Sequence, residues 1–253
     1  IRILGKLDKK EYSQKILDTL LKTNEEETIV RAITALGLLD YKKSSSKISD
    51  FSTNQSYRIR KAVAFTLGKL NVVAEYPILQ KLDMDENLEV RLEAIKAIKE
   101  TKSSEFKDIL TRNACEYKSS CDIRSYACWA LAGTSSWDKK VGDALQKLIM
   151  QRVIPCEGGP PVYDAIFSRT SAFWALCVLG EKYPEAKTLR VKIYEQISQK
   201  PLKEDVEGES WEMLLYYFRQ GICFVEGKTI EKRELPKAYP DLGFPMNPIK
   251  KTD

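Results

Sequence analysis

The stretch RLEAIKAI (91–98) decides how this chain is read. Counting from Arg91, its apolar residues Ala94, Ile95, Ala97 and Ile98 stand at offsets 3, 4, 6 and 7. The same frame returns at Arg60 (Val63, Ala64, Thr66, Leu67), at Arg124 (Ala127, Cys128, Ala130, Leu131) and at Arg169 (Ala172, Phe173, Ala175, Leu176). Ile29 opens another copy, with Ala32, Ile33, Ala35 and Leu36 at those offsets but no arginine. The anchors are therefore separated by 31, 31, 33 and 45 residues. A period of this size marks a repeat architecture, in which each unit buries its apolar face only against its neighbours.

At about 100° per residue, the anchor and its offsets of three, four and seven fall on one helical face. The residue at offset six lies at the edge of that face. A small side chain there lets a neighbouring helix come close, which accounts for Ala35, Ala97, Ala130 and Ala175, with Thr66 as the departure.

Working outward, each copy is the second helix of a pair. The first seven residues, IRILGKL, match the end of a repeat, because Leu4-Gly5-Lys6-Leu7 parallels Leu67-Gly68-Lys69-Leu70, so the chain is expected to begin inside a unit. Helices are predicted over 11–23 and 26–39, then a short one within 42–55, then 57–70, ending at or after Gly68. Pro77 suits the first turn of a helix over about 75–83, followed by 87–99. Ser103 with its neighbours, Asp122 and Asp138 are the predicted caps of the next three helices. The Gly-Gly-Pro-Pro core of the stretch between Val153 and Asp164 interrupts the rhythm and produces most of the 45-residue step. Pro184 opens a helix to Lys200, and SWEMLLYYFRQGI (210–222) is bulkier, as a capping unit must be. The units are 1–7 (partial), 8–39, 40–70, 71–100, 101–133, 134–182 and 183–222. An irregular segment with four prolines follows over 223–253.

Composition narrows the function. Of the residues, 43% are hydrophobic and 30% charged, without an apolar run long enough to span a membrane. The net charge of +5 is spread along the chain without a block of like charges, which argues against a nucleic-acid footprint. The chain has no histidine and no CxxC pair, so a metal site would need cysteines or carboxylates alone, and no metal or cofactor is assigned. Of the six cysteines, Cys115 and Cys121 flank a turn and are a possible disulfide. That bridge would indicate a periplasmic or secreted protein; without it the cytoplasm is favoured.

Helix pairs whose second helix reads [Val/Ile]-Arg-x-x-Ala-φ-x-Ala-Leu-Gly resemble HEAT repeats. The residues that carry the likeness are Ile59-Arg60 with Leu67-Gly68, Val90-Arg91 with Ala94 and Ala97, Ile123-Arg124 with Ala127 and Ala130, and Arg169 with Ala172 and Ala175. The short step is nearer to the form first noted in phycobilin lyases. The resemblance implies an all-α, right-handed α-α superhelix of about six helix pairs. It also implies that Arg60, Arg91, Arg124 and Arg169 are structural anchors laddered to acids of adjacent repeats.

In such stacks the second helices line the concave side, where offsets two and five point away from the core. Those offsets hold Phe65, Tyr126, Trp129 and Trp174, with Arg31 and Lys96 among them. Aromatic and arginine side chains dominate interface energetics, so these six residues are the candidate partner-binding face. The competing possibility is that the C-terminal segment, or the 153–164 stretch, covers the rings from within. The leading expectation is a non-catalytic scaffold holding a protein or peptide. An accessory subunit of the chromophore-lyase kind is the alternative, and a nucleic-acid binder is disfavoured by Glu93 and Glu100 on the inner helices. Catalysis by a Ser-His-Asp or Cys-His set is excluded by the missing histidine, and oligomeric state and partner identity are not encoded in any motif.

Overall fold

The computed structural model describes residues 10–115, 120–150, 161–199 and 209–228. Residues 1–9, most of the Gly-Pro stretch and the tail from 229 lie outside them. Helices make up the described chain, and no strand occurs among the described residues. Two compact units divide after Ser136.

In the first unit, α1 (Ser13–Leu20) pairs with α2 (Glu26–Leu38), and α3 (Ser45–Ser49) with α4 (Tyr57–Leu70). Next come α5 (Tyr76–Leu82) with α6 (Leu88–Thr101) and α7 (Lys107–Cys115) with α8 (Cys121–Thr134). The second helices also pack side by side, α2 on α4, α4 on α6 and α6 on α8, so they form one layer and the first helices the other. Between the layers lie the repeated positions: Ala32, Ile33, Leu36, Val63, Ala64, Leu67, Ala94, Ile95, Ile98, Ala127, Cys128 and Leu131 are all at most 1% exposed. At about 1.5–3 kcal/mol for each large aliphatic side chain, this burial outweighs any surface contact in the fold.

The small residues explain the tight layer. A Cβ placed on Gly68 would stand 2.5 Å from the Ala97 Cβ and 2.6 Å from its Cα. Gly37 meets Thr66 in the same register, at 3.0 Å. Thr66 departs from alanine without leaving a polar atom stranded, because its hydroxyl donates to the Ile33 carbonyl of the preceding repeat at 3.0 Å.

The helices end in a repeated way. Asp40, Asn71, Lys102 and Ser135 are left-handed, with φ of 51°, 47°, 53° and 48°. Each stands eleven residues after an anchor, at 29, 60, 91 and 124. Gly68 is thus interior to α4, kept for close approach, and Asn71 is where the helix stops. At the other ends, Ser103 accepts from the Glu105 N–H and Asp138 from the Val141 N–H at 2.9 Å, both as expected. Asp122 does not cap α8. Ser120 does, accepting from the Ile123 N–H, and Asp122 sits exposed in the first turn.

In the second unit, α9 (Lys139–Met150) packs on α10 (Pro161–Gly180), α10 on α11 (Pro184–Gln199), and α12 (Glu209–Val225) on α10. Helix α10 starts at Pro161, earlier than the expected break up to Asp164, with the proline at the position where its missing N–H costs nothing. Phe173 and Phe218 stack at 3.9 Å with planes 4° apart, joining α10 to the capping helix α12.

Candidate functional site

The anchor arginines turn inward. Arg60 is 7% exposed; its Nε and Nη2 meet the two carboxylate oxygens of Asp85 at 2.7 and 2.8 Å. Its Nη1 donates to the carbonyls of Asn54 and Gln55 at 2.9 Å, which ties the loop before α4 to the loop before α6. Burial pushes the Asp85 carboxyl up, but hydrogen bonds from Arg60 and from the Asn87 N–H outweigh it, and the group stays below its ordinary value. Arg124 is 1% exposed with Nη1 3.9 Å from the Cys121 sulfur, and the Arg169 Nε donates to the Ile149 carbonyl at 2.7 Å. Arg91 is half-buried, and its charge helps to hold Asp85 ionised. Only Arg60 shows the acid ladder among the described contacts. A second inter-repeat link, not read from the sequence, joins the buried Asp83 to Arg112 and to the Asn113 amide, the latter at 2.8 Å.

The opposite face of the second-helix layer carries two adjoining hollows. The first, of about 340 Å³, is lined by Val30 and Thr34 of α2, Tyr57, Arg58, Lys61, Ala62 and Phe65 of α4, and Glu89 and Glu93 of α6. The second, of about 320 Å³, is lined by Phe65 and Lys69, then Glu93, Lys96, Ala97, Lys99 and Glu100 of α6, and Tyr126 of α8. Phe65 and Glu93 border both, so the hollows form one groove across four helices.

Charge is distributed unevenly along it. Arg58 reaches Glu26 and Glu27 at 2.8 and 2.7 Å, which lowers the Glu27 pKa, and Lys61 meets Glu89 at 2.7 Å. Lys69 lies 3.4 Å from Glu100. Lys96 and Lys99 have no carboxylate partner among the described residues, and instead lie over the Tyr126 ring at 5.1 and 5.8 Å. Burial, with lesser help from Asp122 and Glu93, raises the Tyr126 pKa, so its hydroxyl is a neutral donor at any ordinary pH.

The groove therefore gathers Phe65, Lys96 and Tyr126 from the six expected residues, all half-buried. The other three lie elsewhere. Arg31 is exposed but turned along its own helix to Glu27, at 2.8 Å. Trp129 is 7% exposed and does not stand out from the face: Tyr126 meets it edge-on at 4.9 Å and Lys99 lies over it at 5.8 Å. Trp174 belongs to the second unit and is half-buried: Phe224 of α12 is 6.0 Å away, and Gly221 leaves room for the indole edge. Sequence offsets missed Val30, Lys61 and Lys99, although the first two share offset one from their anchors.

The cysteines also depart from expectation. Cys121 is disulfide-bonded, whereas Cys115 retains its thiol, so the two do not bridge each other. Burial drives the Cys128 thiol pKa up and that of Cys177 to about 12, so both are packing residues. Among the described residues no helix is long and apolar enough to cross a membrane.

Paired helices in two layers, a repeated left-handed stop and an arginine–aspartate link between neighbours define an all-α helical-repeat scaffold. Residues 13–99 match the family model described as HEAT repeats, and this stretch is built of such repeats. No curated protein matches it. Among solved structures, human deoxyhypusine hydroxylase in complex with glycerol is similar at 14% identity and a TM-score of 0.38, over 86% of this chain and 77% of that one.

Proposed function

We propose that this chain is a non-catalytic interaction scaffold that holds a polypeptide segment along the groove of α2, α4, α6 and α8. The observation that carries the proposal is the groove itself. It spans four helices as two adjoining hollows, is lined by the half-buried Phe65 and Tyr126 rings, and carries two lysines with no carboxylate partner among the described residues. A surface kept only for solubility would present charged side chains there instead of rings. Rigid helices on a packed layer also hold the groove open before a partner arrives, which reduces the entropic cost of binding.

The test uses a peptide selected from a random display library on the intact protein, with affinity read by fluorescence anisotropy. Phe65→Ala and Tyr126→Ala each weaken binding by about tenfold or more, as central aromatic contacts do, while the helical circular dichroism signal is retained. Unchanged affinity in both folded variants would remove the groove from consideration.

A further inference from the structure

This inference rests on the groove reading above and concerns the charge of what the groove takes. The two hollows are offset along the helices as well as across them: residues 57–65 of α4 and 89–93 of α6 line the first, 65–69 and 93–100 the second. In the first, each cation already has a carboxylate. Arg58 meets Glu26 and Glu27, and Lys61 meets Glu89, which leaves Val30, Ala62 and Phe65 as the apolar part. In the second, Lys69 meets Glu100, while Lys96 and Lys99 have rings for neighbours: both lie over Tyr126, and Lys99 also over Trp129.

Their own helix does not account for both lysines. Lys96 stands three residues after Glu93 and four before Glu100, the spacings at which ion pairs form on a helix, yet it pairs with neither among the described residues. Lys99 lies in the last turn of α6, where the helix dipole favours a cation; Lys96 lies a turn earlier, where that effect has faded. A ring attracts a cation but supplies no countercharge. The second hollow thus holds three lysines against two carboxylates, with the neutral Tyr126 hydroxyl as a further donor beside them.

We infer that the occupant of the groove is an acidic segment of a partner protein, with apolar side chains against Val30, Ala62 and Phe65 and aspartate or glutamate against Lys96 and Lys99. A carboxylate there supplies the missing countercharge, whereas a basic segment meets like charge and is rejected. Glu89, Glu93 and Glu100 along the same groove oppose a nucleic acid, whose phosphates recur at every step; a peptide can carry its acids at the lysines alone.

Three pools of fluorescein-labelled dodecapeptides, randomised alike at apolar positions and otherwise acidic, basic or neutral, test this on the intact protein by anisotropy. The acidic pool supplies the tightest binders. Their affinity falls about tenfold or more in Lys96→Glu/Lys99→Glu, and it weakens as salt rises from about 0.1 to about 1 M, over which the screening length drops from about 10 to about 3 Å. That variant gains affinity for the basic pool. Lys96→Gln/Lys99→Gln, which removes the charge without reversing it, loses the acidic preference and acquires no basic one. Phe65-dependent binders drawn equally from all three pools would overturn the acidic partner and leave the groove standing. No Phe65-dependent binder from any pool would overturn both. Oligothymidylate that binds more tightly than the best acidic peptide, and is lost in the charge reversal, would assign the lysines to a phosphate backbone and contradict the peptide.

Discussion

Arg60 serves two repeats with one side chain. Its fork holds Asp85 of the next repeat, and its remaining nitrogen holds the loop that introduces its own helix. Removing one member of a buried pair leaves the other charged and desolvated, so Arg60→Ala costs about 3–5 kcal/mol, measured by urea unfolding at neutral pH. The acid side of the pair has a definite pH signature. Because the folded state depresses the Asp85 pKa, its contribution is complete above the unfolded value of about 3.9 and is lost as pH falls through the folded value. The urea midpoint of the intact protein therefore drops more steeply below pH 4 than that of Asp85→Asn; parallel slopes would contradict the assignment. At this scale the sequence is only partly legible. Anchor and core positions follow from helical period, since Ala94, Ile95 and Ile98 have one face to occupy. The posture of a ring does not: Phe65 and Trp129 share offset five, yet one borders the groove while the other lies buried beside Tyr126. Nor does the proximity of two cysteines in sequence decide their bonding: Cys121 is disulfide-bonded while Cys115 keeps its thiol.

The helices show why small residues recur at two offsets. Gly37 and Gly68 stand eight residues after their anchors, and each faces the offset-six residue of the next repeat, Thr66 or Ala97. Periodicity exposes the alanines and the helix over 57–70, but glycine serves both as a stop and as a close-approach residue, so the role of Gly68 does not follow from it. The actual stops at Asp40, Asn71, Lys102 and Ser135 carry no glycine, so composition alone could not reveal them. A pair of identical substitutions separates the roles. Gly68→Ala drives a methyl into the α6 backbone and destabilises by about 1–3 kcal/mol. Gly133→Ala in α8 meets nothing within 4 Å and stabilises by up to about 1 kcal/mol through helix propensity. Thermal midpoints read both, and a neutral Gly68→Ala would mean the α4–α6 contact is looser than described.

For the molecule as a whole, the rhythm of the sequence was legible because a repeat must restate its core each time, so five copies support one reading. A binding face has no such redundancy. Offsets two and five fall on the face of α4, α6 and α8 where the hollows lie, but the groove exists only because four neighbouring helices contribute different residues to it. The surface ion pairs that frame it, such as Lys61 with Glu89, each add about 0–1 kcal/mol and fix its edges more than its stability. The most direct measurement is a set of amide chemical-shift changes on the ¹⁵N-labelled protein as a display-selected peptide is added. Shifts centred on Thr34, Phe65, Lys96 and Tyr126 are the predicted result; shifts confined to the first helices α1, α3, α5 and α7 would contradict the groove as the binding surface.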